Sequence, residues 1–118
     1  MMKVVNAQGQ PLLGEVKWCA TFGSKLLGLM FRRSIDPEEG LVLAETRSST
    51  VATSIHMLFV PFDIAAIWLD ENFQVVHKVL AKSWRPYYAA PKPARYVLEG
   101  PPALLDRVTI GETLRFEE

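Results

Sequence analysis

Residues 60–80 read VPFDIAAIWLDENFQVVHKVL and predict the centre of a β-sheet. The segment from Phe62 to Leu69 is apolar on both faces except at Asp63, which is typical of a central strand. A second apolar segment, Phe73 to Leu80, follows the polar residues 70–72. Because Asn72 tolerates the left-handed conformation that tight turns require, the two segments predict a β-hairpin.

Three other segments alternate apolar and polar residues with a period of two, as half-buried strands do. They are residues 15–20, 94–99 and 113–117. Residues 6–9 and 36–40 carry the Asn, Gly and Pro that favour turns. The pattern predicts a mainly β (α+β) fold, a small, mostly antiparallel β-barrel or sandwich of about eight short strands.

One or two short helices are expected beside these strands. The clearest spans Ser24 to Arg33, where the first residue offers a capping hydroxyl and Leu26, Leu27 and Met30 form an apolar stripe. A second helical turn is predicted over residues 102–106, because proline suits the first position of a helix. One of these helices is expected to plug an end of the barrel.

Length, charge and cysteine content limit the classes of protein to consider. The 118 residues are 49% hydrophobic and form one predicted domain, residues 1–118. Thirteen Lys and Arg balance 13 Asp and Glu, so there is no basic excess for binding nucleic acid. The single cysteine, Cys19, excludes an internal disulfide. No secretory signal and no membrane span are recognised, and the default location is the cytoplasm.

Asp63 is the most unusual residue of the predicted central strand. An unpaired carboxylate buried there would cost several kcal/mol, so it must be protonated, paired, bonded by backbone amides or placed at a cavity mouth. One interpretation is structural, with Asp63 capping the turn at Pro61 or binding Arg32. The other is functional, with Asp63 orienting a ligand or transferring a proton in a pocket.

Other candidate ligand-binding residues are His56, Met57, Trp84 and Tyr88. Alternation places His56 on a predicted strand, where it is either a satisfied core imidazole or an acid, base or ligand donor. Trp84 and Tyr88 belong to a Pro-rich aromatic loop, residues 83–91, that either stacks on a ligand or covers the end of the β core. The sequence has no metal-ligand spacing, phosphate loop or nucleophile elbow, so no cofactor is expected.

Several motifs, taken in order, resemble a known family. Arg32 ends a Gly-Leu-Met-x-Arg signature, and Met57 and Asp63 lie in a segment where a Met and a Pro-x-Asp precede a strand. Asp70 follows that strand, and Gly111 lies in a closing turn, so both are assigned structural roles. These features resemble the domain-of-unknown-function family numbered 192, which implies a small, mainly β, barrel-like domain without a settled activity. Many members of that family carry an export leader.

Three functional hypotheses follow. The first is a binding or interaction module whose mouth, lined by Arg32, His56, Asp63 and the aromatic loop, takes a small ligand or a protein partner. The second is a hydrolase or lyase in which Asp63 and His56 exchange a proton with the substrate. The third is a purely structural accessory domain. An exposed strand edge would also support a homodimer by strand pairing.

Overall fold

The computed structural model describes residues 2–21, 24 and 28–118. Within these residues the chain forms seven strands and one 3₁₀ helix, and Ser24 is α-helical. The strands are β1 (Met2–Val5), β2 (Pro11–Cys19), β3 (Glu39–Ser49), β4 (Ile64–Leu69), β5 (Val75–Ala81), β6 (Ala94–Gly100) and β7 (Arg115–Glu117), and the 3₁₀ helix is Pro102–Arg107.

All seven strands belong to one sheet with the order β5-β4-β6-β3-β2-β1-β7. Every neighbouring pair is antiparallel except β2 and β3, which run parallel. The two edge strands approach each other at one end, where Gln74 forms a bridge with Thr113 and the Val75 amide donates to the Glu112 carbonyl at 2.8 Å. The sheet is therefore a half-barrel, which confirms the predicted mainly β class.

The sheet has an apolar core on each face. Ala65, Ile67 and Leu69 of β4 point to the inner face, where they pack with residues of both edge regions. Ile64, Ala66 and Trp68 point to the outer face. All six are buried, so the predicted central strand with two covered faces is confirmed.

The outer core is covered by irregular segments of the chain. These covering segments are residues 28–35, 50–62 and 82–93, and each places apolar side chains on the outer face. The indole of Trp68 donates a buried hydrogen bond of 2.8 Å to the Thr53 carbonyl, and Ile55 and Tyr88 form a backbone bridge. These bonds satisfy buried polar groups and fix the segments against the sheet.

Local chemistry explains the elements that were predicted well. The β4–β5 hairpin turns at Asp70, whose Oδ1 accepts the amide hydrogens of Asn72 and Gln74, each at 2.9 Å. The strands at residues 15–20 and 94–99 are present as parts of β2 and β6. The predicted second helical turn is the 3₁₀ helix, which has Pro at its start and contributes Leu104 to the inner core.

Other predictions need correction. Of the helix predicted over residues 24–33, Ser24 is helical and its carbonyl accepts the Gly28 amide hydrogen at 3.1 Å, while Lys25, Leu26 and Leu27 lie outside the described residues. Residues 28–31 form turns rather than a helix, and the positive φ angles of Gly28 (43°) and Phe31 (64°) are incompatible with its continuation. The seven strands of the described residues agree with the predicted number of about eight. None of the helices in the described part of the chain is long and apolar enough to cross a membrane.

Candidate functional site

A cavity of about 250 Å³ lies between the outer face of the sheet and the covering segments. Strands β3, β4 and β6 form its floor, and the covering segments form its roof. Its apolar lining includes Leu29, Met57, Val60, Ile64 and Val97, and its polar lining includes Glu45, Thr53, Ser54, His56 and Glu99.

Glu99 is the buried charged group of this cavity. It lies on β6, where Val97 and Glu99 face the outer core while Tyr96 and Leu98 face the inner core. Only 5% of Glu99 is exposed. Burial raises the pKa of its carboxyl from 4.5 to about 7.

The Glu99 carboxyl forms no hydrogen bond or ion pair with the residues that the structure describes, and burial is the cause of its raised pKa. Its cross-strand neighbours on the outer face are Leu41 of β3 and Ala66 of β4, both apolar. An ionised carboxylate loses its hydration in such a place and gains nothing from these neighbours. The group must therefore be protonated or find a partner inside the cavity.

Sequence reasoning missed Glu99 as a site residue. The alternation of residues 94–99 predicted a half-buried strand, which would place Arg95, Val97 and Glu99 toward solvent. The covering segments, distant in the sequence, bury that face instead. The signal in the sequence was Val97, because an apolar residue on the predicted solvent face indicates that this face, which also carries Glu99, is covered.

Two predicted site residues, His56 and Met57, do line the cavity. His56 was predicted to lie on a strand, but it lies in a covering segment. Its Nδ1 accepts the amide hydrogen of Leu58 at 3.2 Å. Met57 is 1% exposed, and its backbone is fixed by bonds to Arg85 (2.7 Å) and Trp84 (3.0 Å). The backbone thus positions both side chains at the cavity wall.

Asp63 does not occupy the buried position expected for it. Strand β4 begins one residue later, and the Asp63 side chain is 37% exposed. Its Oδ1 accepts the Ser83 amide hydrogen at 2.9 Å, and its Oδ2 lies 3.6 Å from the Lys82 ammonium. The carboxylate is held by an amide and a cation, but at the surface, because the chain enters the sheet only at Ile64.

Arg32 also has a different partner from the one considered. Its guanidinium forms two hydrogen bonds with the Glu39 carboxylate, one of them 2.7 Å from Nη2 to Oε1. The hydrogen bond with Arg32 is the main reason that the pKa of Glu39 is lowered. Neither Arg32 nor Asp63 lines the cavity, so the structure does not bring these two residues together with His56 and Met57 in one pocket.

The aromatic loop lies outside the cavity lining as well. The Tyr88 hydroxyl accepts the Lys82 amide hydrogen at 2.9 Å, and the side chain packs on the outer core. Trp84 is 52% exposed. Its ring centroid lies 5.4 Å from that of Phe59, and the ring centroids of Phe59 and Phe31 are 5.0 Å apart. These three rings form a surface row, and all three residues have positive φ angles of 62–67°.

Asp70 and Gly111 lie in turns at the other end of the sheet. Gly111 has a φ of 99°, which favours glycine, and its amide donates to the Val75 carbonyl at 2.8 Å. Asp70 shapes the β4–β5 turn described above. Among the described residues, no group of three or more His, Cys, Asp or Glu is arranged to hold a metal ion.

Comparisons with known proteins place this geometry in a family. The chain is 38% identical over 112 residues to a UPF0127 protein of Thermococcus kodakarensis, covering 94% of this chain and 69% of that protein. It is 31% identical over 110 residues to a UPF0127 protein of Pyrococcus furiosus, covering 93% of this chain and 91% of that protein.

A solved structure shows the same fold. A Sinorhizobium meliloti protein, provisionally assigned as a transcription regulator, superposes with a TM-score of 0.84 at 18% identity, covering 98% of this chain and 91% of that one. A family model described as "Uncharacterized ACR" matches residues 3–116. Together with the archaeal relatives, this match shows that the chain belongs to the DUF192 family of uncharacterised conserved proteins.

Proposed function

We propose that this protein is a small-molecule-binding domain whose ligand occupies the cavity on the outer face of the sheet. The observation that carries the proposal is Glu99, a buried carboxyl that faces the cavity without a described partner. Apolar walls with a few convergent polar groups are the usual composition of a ligand pocket. A purely structural core would gain stability from an apolar residue at this position.

The size of the cavity limits the ligand. Pockets for drug-sized molecules enclose about 300–1,000 Å³. With about 250 Å³, this cavity suits a ligand smaller than most drugs. Its apolar wall favours a short hydrocarbon portion, and Glu99 favours a polar group at one end.

Acid–base catalysis is the second candidate, supported by one observation. The pKa of Glu99 is raised to about 7, where a carboxyl can both donate and accept protons, and His56 lines the same cavity. Glu99 and His56 therefore take the acid–base role that the sequence analysis assigned to Asp63 and His56, because Asp63 lies outside the cavity. Mass spectrometry of an incubated ligand discriminates the two candidates, since a binding protein returns the ligand unchanged.

The binding proposal is tested by titrating isotope-labelled protein with three probes of equal chain length, n-pentylammonium, n-pentanol and pentanoate. We expect at least one probe to shift the backbone amide signals of Ile55 and Val97, which line the cavity. Ala52→Trp is designed to obstruct the cavity, because Ala52 is an exposed lining residue. The matched control is Val51→Trp, since Val51 is 76% exposed and does not line the cavity.

The variants make the test specific to the cavity. Binding should weaken in Ala52→Trp and persist in Val51→Trp, because only the former introduces an indole at the cavity. The proposal is wrong if no probe shifts the cavity amides, or if both variants bind as the unmodified protein does.

A buried cysteine without a disulfide, such as Cys19, is typical of reducing compartments, which supports the cytoplasm as the proposed location.

A further inference from the structure

We infer that the ligand of this cavity is an organic cation, of the class of a protonated short-chain amine, and that the Glu99 carboxylate is its counterion. This inference rests on the proposed function and names the ligand class for the same cavity. It follows from the charge of the lining, from the unpartnered carboxyl and from the apolar walls.

The charge of the lining favours a cation. Glu99 is its buried acidic residue, and among the described residues no Lys or Arg contributes to the lining. Thr53 and Ser54 add neutral polar groups, and His56 adds positive charge only when it is protonated. An anionic ligand would be repelled by this surface, whereas a positive charge is attracted to it.

The environment of Glu99 distinguishes a cation from a neutral ligand. Glu99 is 5% exposed and its carboxyl receives no hydrogen bond from a described residue, so the ionised form has lost most of its hydration without compensation. An ammonium group supplies both a hydrogen-bond donor and the opposite charge, whereas a hydroxyl supplies the donor alone. Charge-assisted hydrogen bonds are about twice as strong as neutral ones.

The remaining walls suit the hydrocarbon part of such a ligand. Leu29, Met57 and Val97 are buried apolar residues of the lining. An alkyl chain that replaces water against these side chains gains about 0.8 kcal/mol for each buried CH₂ group. A small amine with a short apolar chain therefore matches both the carboxyl and the walls.

The protonation of Glu99 links binding to pH. The titratable groups on the outer face around Glu99 are Lys17 and Cys19 from β2, Glu45 from β3 and His56 from a covering segment, while β4 presents the apolar Ile64 and Ala66. Burial raises the pKa of the Cys19 thiol above 9.0, so the thiol stays neutral near neutral pH. Because the pKa of Glu99 is about 7, affinity for a cation should rise as the pH rises through that value.

The test measures dissociation constants of n-pentylammonium, n-pentanol and pentanoate at about pH 6 and about pH 8, where Glu99 changes from mostly protonated to mostly ionised. Glu99→Gln removes the charge and keeps the shape. His56→Asn shows whether histidine protonation causes the pH dependence, since the trend should keep its direction in this variant. Amide spectra of both variants verify that they are folded.

We expect n-pentylammonium to bind at least about tenfold more tightly than n-pentanol at the higher pH. Its affinity should fall by up to about tenfold at the lower pH, because a protonated Glu99 no longer attracts it. Glu99→Gln should bind the amine and the alcohol alike. If this variant does not fold, the pH series of the unmodified protein decides the question.

Two contrary results have different meanings. If n-pentanol binds as tightly as n-pentylammonium, or if Glu99→Gln leaves amine binding unchanged, the cavity binds small molecules but not a cation, and this inference alone is wrong. If no probe shifts the cavity amides at either pH, the proposed function and this inference are both wrong.

Discussion

Glu99 of β6 and Ala66 of β4 lie directly opposite each other on the outer face of the sheet. Leu41 lies opposite Glu99 on the other side, on β3. The carboxyl therefore projects from the central strand of a three-strand surface, one residue before β6 ends, and the covering segments separate it from bulk water. Because the side chain of Ala66 ends at Cβ, it fills little of the space beside the carboxyl.

The first prediction concerns the pH dependence of stability. Folding raises the pKa of Glu99 from 4.5 to about 7, so the folded state binds the proton more tightly than the unfolded state. The resulting stabilisation is fully present below about pH 4.5 and is lost as the pH rises through about 7, a change of about 3 kcal/mol. Glu99→Gln should remove this loss, because an amide does not titrate.

Urea unfolding, followed by tryptophan fluorescence to which the buried Trp68 contributes, measures this effect between about pH 5 and pH 8. The matched control is Glu71→Gln, an exposed turn residue, which should keep the pH dependence of the unmodified protein. If Glu99→Gln keeps it too, another group is responsible and the burial argument for Glu99 is wrong.

The second prediction concerns the ion pair of Arg32 and Glu39. Their side chains are 39% and 20% exposed, so solvent screens the pair and Glu39→Gln should cost about 1 kcal/mol at neutral pH. Because the hydrogen bond with Arg32 lowers the pKa of Glu39, this stabilisation is present above the unfolded value of 4.5 and disappears as the pH falls through the lowered value.

The two proteins should therefore differ in urea midpoint at neutral pH and converge in acid. The neighbouring exposed residue offers the control Glu38→Gln, which should differ little from the unmodified protein at any pH. A difference for Glu39→Gln that persists at low pH would mean that packing, rather than charge, accounts for the effect.

The third prediction uses two glycines on adjacent strands. A Cβ at Gly40 of β3 would lie 2.6 Å from Cδ1 of Leu13 and 3.0 Å from the backbone oxygen of Glu99. Since Leu13 is buried and the oxygen belongs to β6, Gly40→Ala should reduce the free energy of unfolding by about 1–3 kcal/mol. It should also weaken ligand binding, because it displaces the strand that carries Glu99.

Gly14→Ala on β2 is the matched control for this substitution. A Cβ there meets no atom within 4 Å, so the change in free energy should be within about 0.5 kcal/mol or be stabilising. Thermal unfolding of both variants measures the difference. Equal stability of the two alanine variants would show that β3 and β6 can separate without loss.

The fourth prediction concerns Asp63 at the surface. Asp63→Asn retains an oxygen for the Ser83 amide and loses the charge facing Lys82, 3.6 Å away, so it should cost less than about 1 kcal/mol. Asp63→Ala also removes the acceptor and should cost about 1 kcal/mol more. Ligand binding should be unchanged in both, because Asp63 does not line the cavity. A loss of several kcal/mol in Asp63→Asn would instead indicate a buried carboxylate.

Features that depend on neighbouring residues were predictable from the sequence. The β4–β5 hairpin follows from two apolar segments separated by polar turn residues, although the left-handed residue of the turn is Phe73 (φ 63°) and not Asn72. The 3₁₀ helix follows from its initial proline. Strands β2 and β6 follow from alternation, because the period of side chains along a strand is a local property.

The site depended on contacts between distant parts of the chain. Alternation assigns Glu99 to one face of β6 but does not say whether residues 50–62 and 82–93 will cover that face. In the same way, the pairing of Arg32 with Glu39 rather than with Asp63 depends on the tertiary structure. Sequence periodicity thus determined the strands and their faces, whereas tertiary packing alone decided which carboxyl lost its water, since desolvation depends on all the atoms around a group.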